Sequence, residues 1–147
     1  EGVETALSVR DALPQYKIVA TLSAGRLHDI PLSIDTKRVV ICADEDGPHA
    51  SSNKSVVDAV NTYLAKGMQV EVAYPRALPA LDKTDFNDLA RAMGVRAVKE
   101  DFEKTIRIQG VKTLSAPDLL QLKRELENAK NAGLQPHYPS QQKEKIR

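Results

Sequence analysis

The stretch Val39-Val40-Ile41-Cys42-Ala43-Asp44-Glu45-Asp46-Gly47 decides how this chain folds. Its opening residues are apolar and rich in β-branched side chains, the composition of a strand buried on both faces of a parallel sheet. The run then breaks into two aspartates one residue apart, followed by a glycine. Open α/β sheets bind ligands at the carboxyl ends of their strands, and hard divalent cations such as magnesium select carboxylate oxygens. Two ionised carboxylates about 4 Å apart repel by roughly 4 kcal/mol at an effective dielectric of about 20. At a half-buried strand end a cation, a proton or a helix N-terminus has to offset that repulsion. The other reading is a solvated acidic turn that caps the next helix. Taken alone, the stretch does not choose between them.

The 147 residues are enough for one α/β domain with some chain left over. The net charge of +1 excludes a nucleic-acid binder that relies on bulk charge, but not one with a local basic strip. The single cysteine, Cys42, falls inside the expected buried strand, where it reads as a small hydrophobe. Disulfides and cysteine-built zinc sites are thereby excluded within the chain, and a reducing, cytoplasmic setting is expected. No apolar run is long enough for a membrane span, and no signal peptide is present, so no membrane partner is expected. Tryptophan is absent and aromatics are few, which leaves little for a base-stacking platform. The chain begins at Glu1 rather than at methionine and reads as a piece of something longer.

Working outward, Glu4 to Leu13 has helical spacing and stops before Pro14. Tyr16 to Leu22 reads as a strand, Ser23-Ala24-Gly25 as a turn of small residues, and Gly25 to Ile30 as a short helix. The strand Arg38 to Ala43 comes next. Ala50 to Lys66 is a helix with Val56, Val57, Val60 and Leu64 as its apolar stripe and Gly67 just past its end. Gln69 to Tyr74 alternates as a strand, and a helix follows Lys83-Thr84-Asp85-Phe86-Asn87-Asp88 and runs through Met93. Strands separated by helices imply parallel pairing with right-handed crossovers, hence a doubly wound, mostly parallel sheet. After about Gln109 the character changes. Ser115 to Ala132 forms one amphipathic helix, with Ser115 as N-cap and Pro117 in its first turn. Residues 135–147 read as a disordered or linker-like polar tail. Residues 1–109 are taken as the catalytic domain and 110–147 as a helical extension and linker.

Acidic motifs occur at Glu1-Gly2-Val3-Glu4, Asp44-Glu45-Asp46 and Asp85-Phe86-Asn87-Asp88. In a doubly wound sheet they can converge on one edge, and converging carboxylates that hold a metal are phosphoryl-transfer equipment. In this order and spacing, with the turn Ser23-Ala24-Gly25 and with Lys83 to Leu89, the sequence resembles the Toprim domain of bacterial primases, type IA and II topoisomerases and some nucleases. The closest resemblance is to the subtype in phage-type primase-helicases and conjugative relaxase-primase proteins.

This resemblance implies a magnesium-dependent nucleotidyltransferase, with manganese as the alternative ion. It would make RNA primers on single-stranded DNA from nucleotides, inside a larger replication or conjugation protein with helicase, relaxase or zinc-binding domains as neighbours. By the same resemblance Glu1 is the general acid/base, Asp44 and Asp46 bind the metal, and Asp85 and Asp88 form a later acidic motif with a metal or structural role. A helix N-cap is the alternative for Asp85. Glu45 is expected to point into solvent, and Glu4 to serve the first helix's dipole. Arg26, Ser51 and Lys54 are candidate phosphate or DNA contacts, since helix N-termini accept phosphate; a plain cap is the alternative for Ser51, and His49 reads as a solvated loop residue. The family's glutamate ends an apolar strand that nothing here precedes, so a first strand is expected to be missing and the isolated fragment to be less active. Three competing readings are a Toprim nuclease or topoisomerase, a haloacid-dehalogenase-like phosphatase using Asp44-Glu45-Asp46-Gly47, and an inactive Toprim scaffold.

Overall fold

A computed structural model describes residues 2–47, 52–109 and 113–133. The expectations for Glu1, His49, Ser51 and the tail 135–147 fall outside these residues. The order is α1 (Val3–Ala12), β1 (Arg38–Cys42), α2 (Ser52–Ala65), β2 (Gln69–Ala73), α3 (Phe86–Met93), α4 (Val95–Phe102), β3 (Ile106–Ile108) and α5 (Ala116–Asn131), with a 3-10 turn at Ala24–Arg26. Among the described residues the sheet has three strands in the order β1-β2-β3. β1 and β2 are parallel, with Val40 opposite Glu71, and β2 and β3 are antiparallel, with Glu71 opposite Arg107. The sheet is therefore mixed: it starts with the parallel pairing that was expected, and β3 runs antiparallel along β2.

Helices cover both faces. Ile41, Val70, Val72, Ile106 and Ile108 pack with α2 and with Leu119 of α5. On the other face Val40 and Cys42 lie against a cluster built from Val9 and Leu13, Phe86 and Leu89, and Val98 and Phe102. Period-two alternation along β1 divides its side chains between these layers. Desolvation there pushes the Cys42 thiol up to about 12, so it is not a thiolate at neutral pH. α5 shares the core with β1 and β2 and is an integral layer of the described fold.

Local chemistry sets the boundaries. α2 ends in a Schellman motif: Gly67 has φ +75°, its N–H donates to Leu64 O at 2.9 Å, and Met68 N–H donates to Tyr63 O at 3.1 Å. α5 begins as expected, with Ser115 and Asp118 forming a reciprocal capping box and proline in the first turn.

Tyr16–Leu22 is not a strand. Among the described residues no backbone hydrogen bond joins residues 17–22 to β1. A cleft of about 330 Å3, lined by Ile18, Ala20, Leu32, Val39 and Ile41 among others, separates the two segments. A strand needs a ladder partner, and apolar alternation alone does not supply one. Leu22, at φ +63°, ends the extended run in a conformation that costs a non-glycine residue roughly 1–2 kcal/mol. The expected short helix at Gly25–Ile30 is reduced to the single turn Ala24–Arg26.

Buried ion pairs reinforce the sheet and the loop after it. Glu71, 5% exposed, accepts from Arg38 Nη2 at 2.7 Å and Thr105 Oγ1 at 2.9 Å, and its other oxygen lies 3.2 Å from Arg107 Nε. Asp101 on α4, 2% exposed, accepts from Arg76 N, Nε and Nη2 at 2.7, 2.9 and 2.8 Å. Burial works against the Asp101 charge, but the hydrogen bonds and charge of Arg76 outweigh it and hold the carboxyl below its usual range. A depressed folded value means the stabilisation is present above the ordinary value of 3.8 and is lost as pH falls through the folded value. Asp101→Asn is expected to cost about 2 kcal/mol at neutral pH. It should also flatten the loss of stability below about pH 4. Urea unfolding at pH 7 and at pH 3 checks both; an equally steep acid limb in the variant would refute the assignment.

Candidate metal centre

The paired aspartates leave the sheet where β1 ends. Ala43 N–H still donates to Ala73 O at 2.9 Å, and parallel pairing stops there. Glu45 then forms an isolated antiparallel bridge with Thr84, its N–H donating to Thr84 O at 2.7 Å and its carbonyl accepting from Thr84 N–H at 2.9 Å. This bridge brings the loop after β1 to the segment before α3, so that Lys83 lies against the aspartates. Lys83 Nζ is 2.8 Å from Asp44 Oδ2 and 3.3 Å from Asp46 Oδ1. The two carboxylates are only 10% and 15% exposed, whereas the Lys83 side chain is 56% exposed. Both acids thus converge on one cationic position that opens to solvent. The hydrogen bond that Lys83 donates to Asp44, with the charges of both acids, outweighs desolvation and raises the Lys83 ammonium far above its ordinary range. The ammonium is therefore charged throughout the neutral range and offsets the repulsion that the D-x-D spacing creates.

Glu45 does not point into solvent as expected. Its side chain is 12% exposed and its Oε1 accepts from Gly47 N–H at 3.0 Å and from Lys123 Nζ at 2.7 Å. Lys123 comes from α5 and stacks 4.5 Å above the Tyr74 ring. The Tyr74 hydroxyl, buried beside this loop, is raised well above its usual value by burial and then by the charges of Glu45 and Asp46.

Asp85 and Asp88 serve the start of α3. Asp85 Oδ1 accepts from Asp88 N–H at 2.7 Å and Asp88 Oδ2 accepts from Asp85 N–H at 3.2 Å, a reciprocal capping box. The other Asp85 oxygen accepts from Thr5 Oγ1 at 2.9 Å, which ties the first turn of α1 to this motif. Among the described residues no group of three or more acidic, histidine or cysteine side chains is close enough to hold a metal together. The structure thus brings together Asp44 and Asp46, and places Asp85 and Asp88 in the capping role that was the alternative for Asp85. Arg26 lies exposed on the 3-10 turn, and Lys54 pairs with Asp58 at 2.7 Å on the first turns of α2. Sequence reasoning missed Lys83 and Lys123 as partners of the acidic loop. For Lys83 a signal existed, since it stands two residues before Asp85 in an acidic motif; for Lys123 none did, because only tertiary packing brings α5 to the loop.

A layered α/β domain whose first described strand delivers two low-exposure carboxylates to one cationic position is of the class that binds a divalent metal and acts on phosphates. This chain belongs to the Toprim family: the Toprim domain matches residues 1–96, which include all three acidic motifs. Comparison with curated proteins and with solved structures gives no significant match. Membership implies metal-dependent processing of nucleic acid, as in primases, nucleases and topoisomerases, and Toprim domains generally bind divalent ions such as magnesium. The donor set fits that ion: two carboxylates of low exposure already gather a cation, and exchanging the single charge of Lys83 for the double charge of magnesium takes the pair from one net negative charge to neutrality. The family assignment replaces the haloacid-dehalogenase reading of Asp44-Glu45-Asp46-Gly47. Among the described residues no helix is long and apolar enough to cross a membrane.

Proposed function

We propose that this chain is the catalytic domain of a DNA primase, carrying out magnesium-dependent nucleotidyl transfer within a larger replication or conjugation protein. The observation that carries this reading is the convergence of Asp44 and Asp46 on one cationic position at the carboxyl end of β1, in a Toprim domain. Asp44 and Asp46 hold the magnesium, which when bound supplies charge stabilisation to a reacting phosphate. Glu1, carried over from the resemblance, moves the proton of the attacking hydroxyl as general base. Gly2 caps α1 and Thr5 bonds Asp85, so the first turn of α1 lies beside the third acidic motif. Asp85 and Asp88 support the site by fixing α3 through their reciprocal cap, and Asp85 also ties α3 to α1 through the Thr5 hydroxyl. Arg26, Ser51 and Lys54 remain the proposed phosphate contacts, with single-stranded DNA and nucleotides as substrates.

The test incubates the chain with single-stranded DNA, nucleoside triphosphates and magnesium, and looks for short primers; a parallel reaction carries supercoiled DNA. Primers that depend on magnesium and vanish in Asp44→Asn are expected. Strand cleavage of the supercoiled DNA without primers would replace the primase reading with a nuclease or topoisomerase one.

A further inference from the structure

The acidic loop is gripped from a part of the chain that the family match does not reach. The Toprim match ends at residue 96, while Lys123 lies on α5. Lys123 is 9% exposed, an unusual place for an ammonium. Leu119, one helical turn earlier, is 0% exposed and belongs to the same core as Ile41 and Val72, so α5 is seated by apolar packing independent of the lysine. From that seat Lys123 passes over the Tyr74 ring and ends on Glu45 Oε1. Glu45 stands between Asp44 and Asp46, its backbone fixed by Thr84 and its carboxylate folded back on Gly47 N–H. Holding Glu45 on this side therefore directs its two neighbours the other way, toward Lys83, because successive side chains of an extended segment point to opposite sides.

We infer that Lys123 is a positioning residue for the metal pair: acting through Glu45, α5 sets the aim of Asp44 and Asp46, and metal affinity depends on a helix beyond the family domain. The inference rests on the metal reading of Asp44 and Asp46. It makes a prediction whose sign separates it from simple electrostatics. Removing a cation near an acidic site should tighten binding of another cation. Loss of a group that orients metal ligands instead weakens it, typically by about 10- to 100-fold.

The experiment is a calorimetric magnesium titration of the full chain, wild type against Lys123→Met and Lys123→Arg. Methionine keeps the apolar stem and its contact with Tyr74, while arginine keeps the charge. Wild-type binding, a loss of tenfold or more in Lys123→Met, and recovery of most of it in Lys123→Arg are expected. Equal or tighter binding by a folded Lys123→Met overturns the inference and leaves the metal reading standing. No binding by the wild type overturns both. If Lys123→Met does not fold, the wild type alone decides by amide NMR. Magnesium should then shift the α5 amides around Lys123 together with those of Glu45 and Gly47, and a response confined to the loop overturns the inference.

Discussion

Asp44→Asn is expected to weaken magnesium binding by about a hundredfold, roughly 3 kcal/mol, with the fold intact. The side chain is 10% exposed and makes the shorter of the two contacts to the cationic position, so it contributes more of the local field than Asp46. A unit charge about 4 Å away interacts with another by roughly 4 kcal/mol at a surface-like dielectric. A divalent ion feels more, and the cost of partly dehydrating it cancels much of the excess. Asp46→Asn should follow in the same direction with a somewhat smaller loss. Stability without metal should change by less than about 1 kcal/mol. Each substitution weakens a pair with the half-exposed Lys83 but also removes carboxylate repulsion. Thermal unfolding in chelator and in excess magnesium separates the effects. The wild type should gain stability with magnesium as mass action requires, and the variants should not. An Asp44→Asn protein with wild-type magnesium affinity would remove the metal assignment altogether.

The strand that aims these aspartates was legible because local signals agreed. An apolar β-branched run, a helix with a glycine stop and a helix opening on Ser-x-x-Asp each carry their own boundary chemistry, and β1, α2 and α5 formed within a residue or two of their expected ends. What was not legible depended on partners far away in sequence. Tyr16–Leu22 has the composition of a strand but finds no ladder among the described residues. α4 and β3 are short, and β3 is held by pairing with β2 and by Arg107 opposite Glu71 rather than by a pattern of its own. The candidate site divides the same way. The D-x-D pair is a local signal, and so is the capping potential of Asp85. The counter-charge of Glu45 is not: Glu45 meets a lysine 78 positions away, and no spacing rule reaches that far. Glu45 was expected in solvent because charged residues in turns usually are. Packing of α5 reversed that, since a buried ammonium needs an acid and Glu45 was the acid within reach.

Among the described residues two lysines touch the acidic loop, and they should respond to substitution with opposite signs. Lys123 holds the loop from behind, whereas Lys83 stands where the metal would go. Magnesium cannot share the position 2.8 Å from Asp44 Oδ2 and 3.3 Å from Asp46 Oδ1 with an ammonium, so binding has to displace Lys83. The wild-type affinity therefore carries the cost of breaking both contacts. Lys83→Met abolishes that cost and should tighten magnesium binding by about tenfold, which corresponds to about 1.4 kcal/mol. In chelator the same variant should lose stability slightly, by about 1 kcal/mol or less, because the lysine is more than half exposed and water screens the pair. Changing pH cannot substitute for the mutation. The folded-state value of Lys83 is raised, so the stabilising contact is fully present below the ordinary value of 10.5 and is lost only as pH rises through the folded value. Across the neutral range the competition should therefore be independent of pH. Once displaced, the long side chain remains beside the metal and can meet a substrate phosphate as a point charge. Lys83→Met should then bind magnesium more tightly yet turn over nucleic acid more slowly, a divergence between affinity and rate that no general unfolding effect would produce. Weaker magnesium binding in this variant would mean that Lys83 shapes the site rather than occupies it, and the displacement step would have to be abandoned.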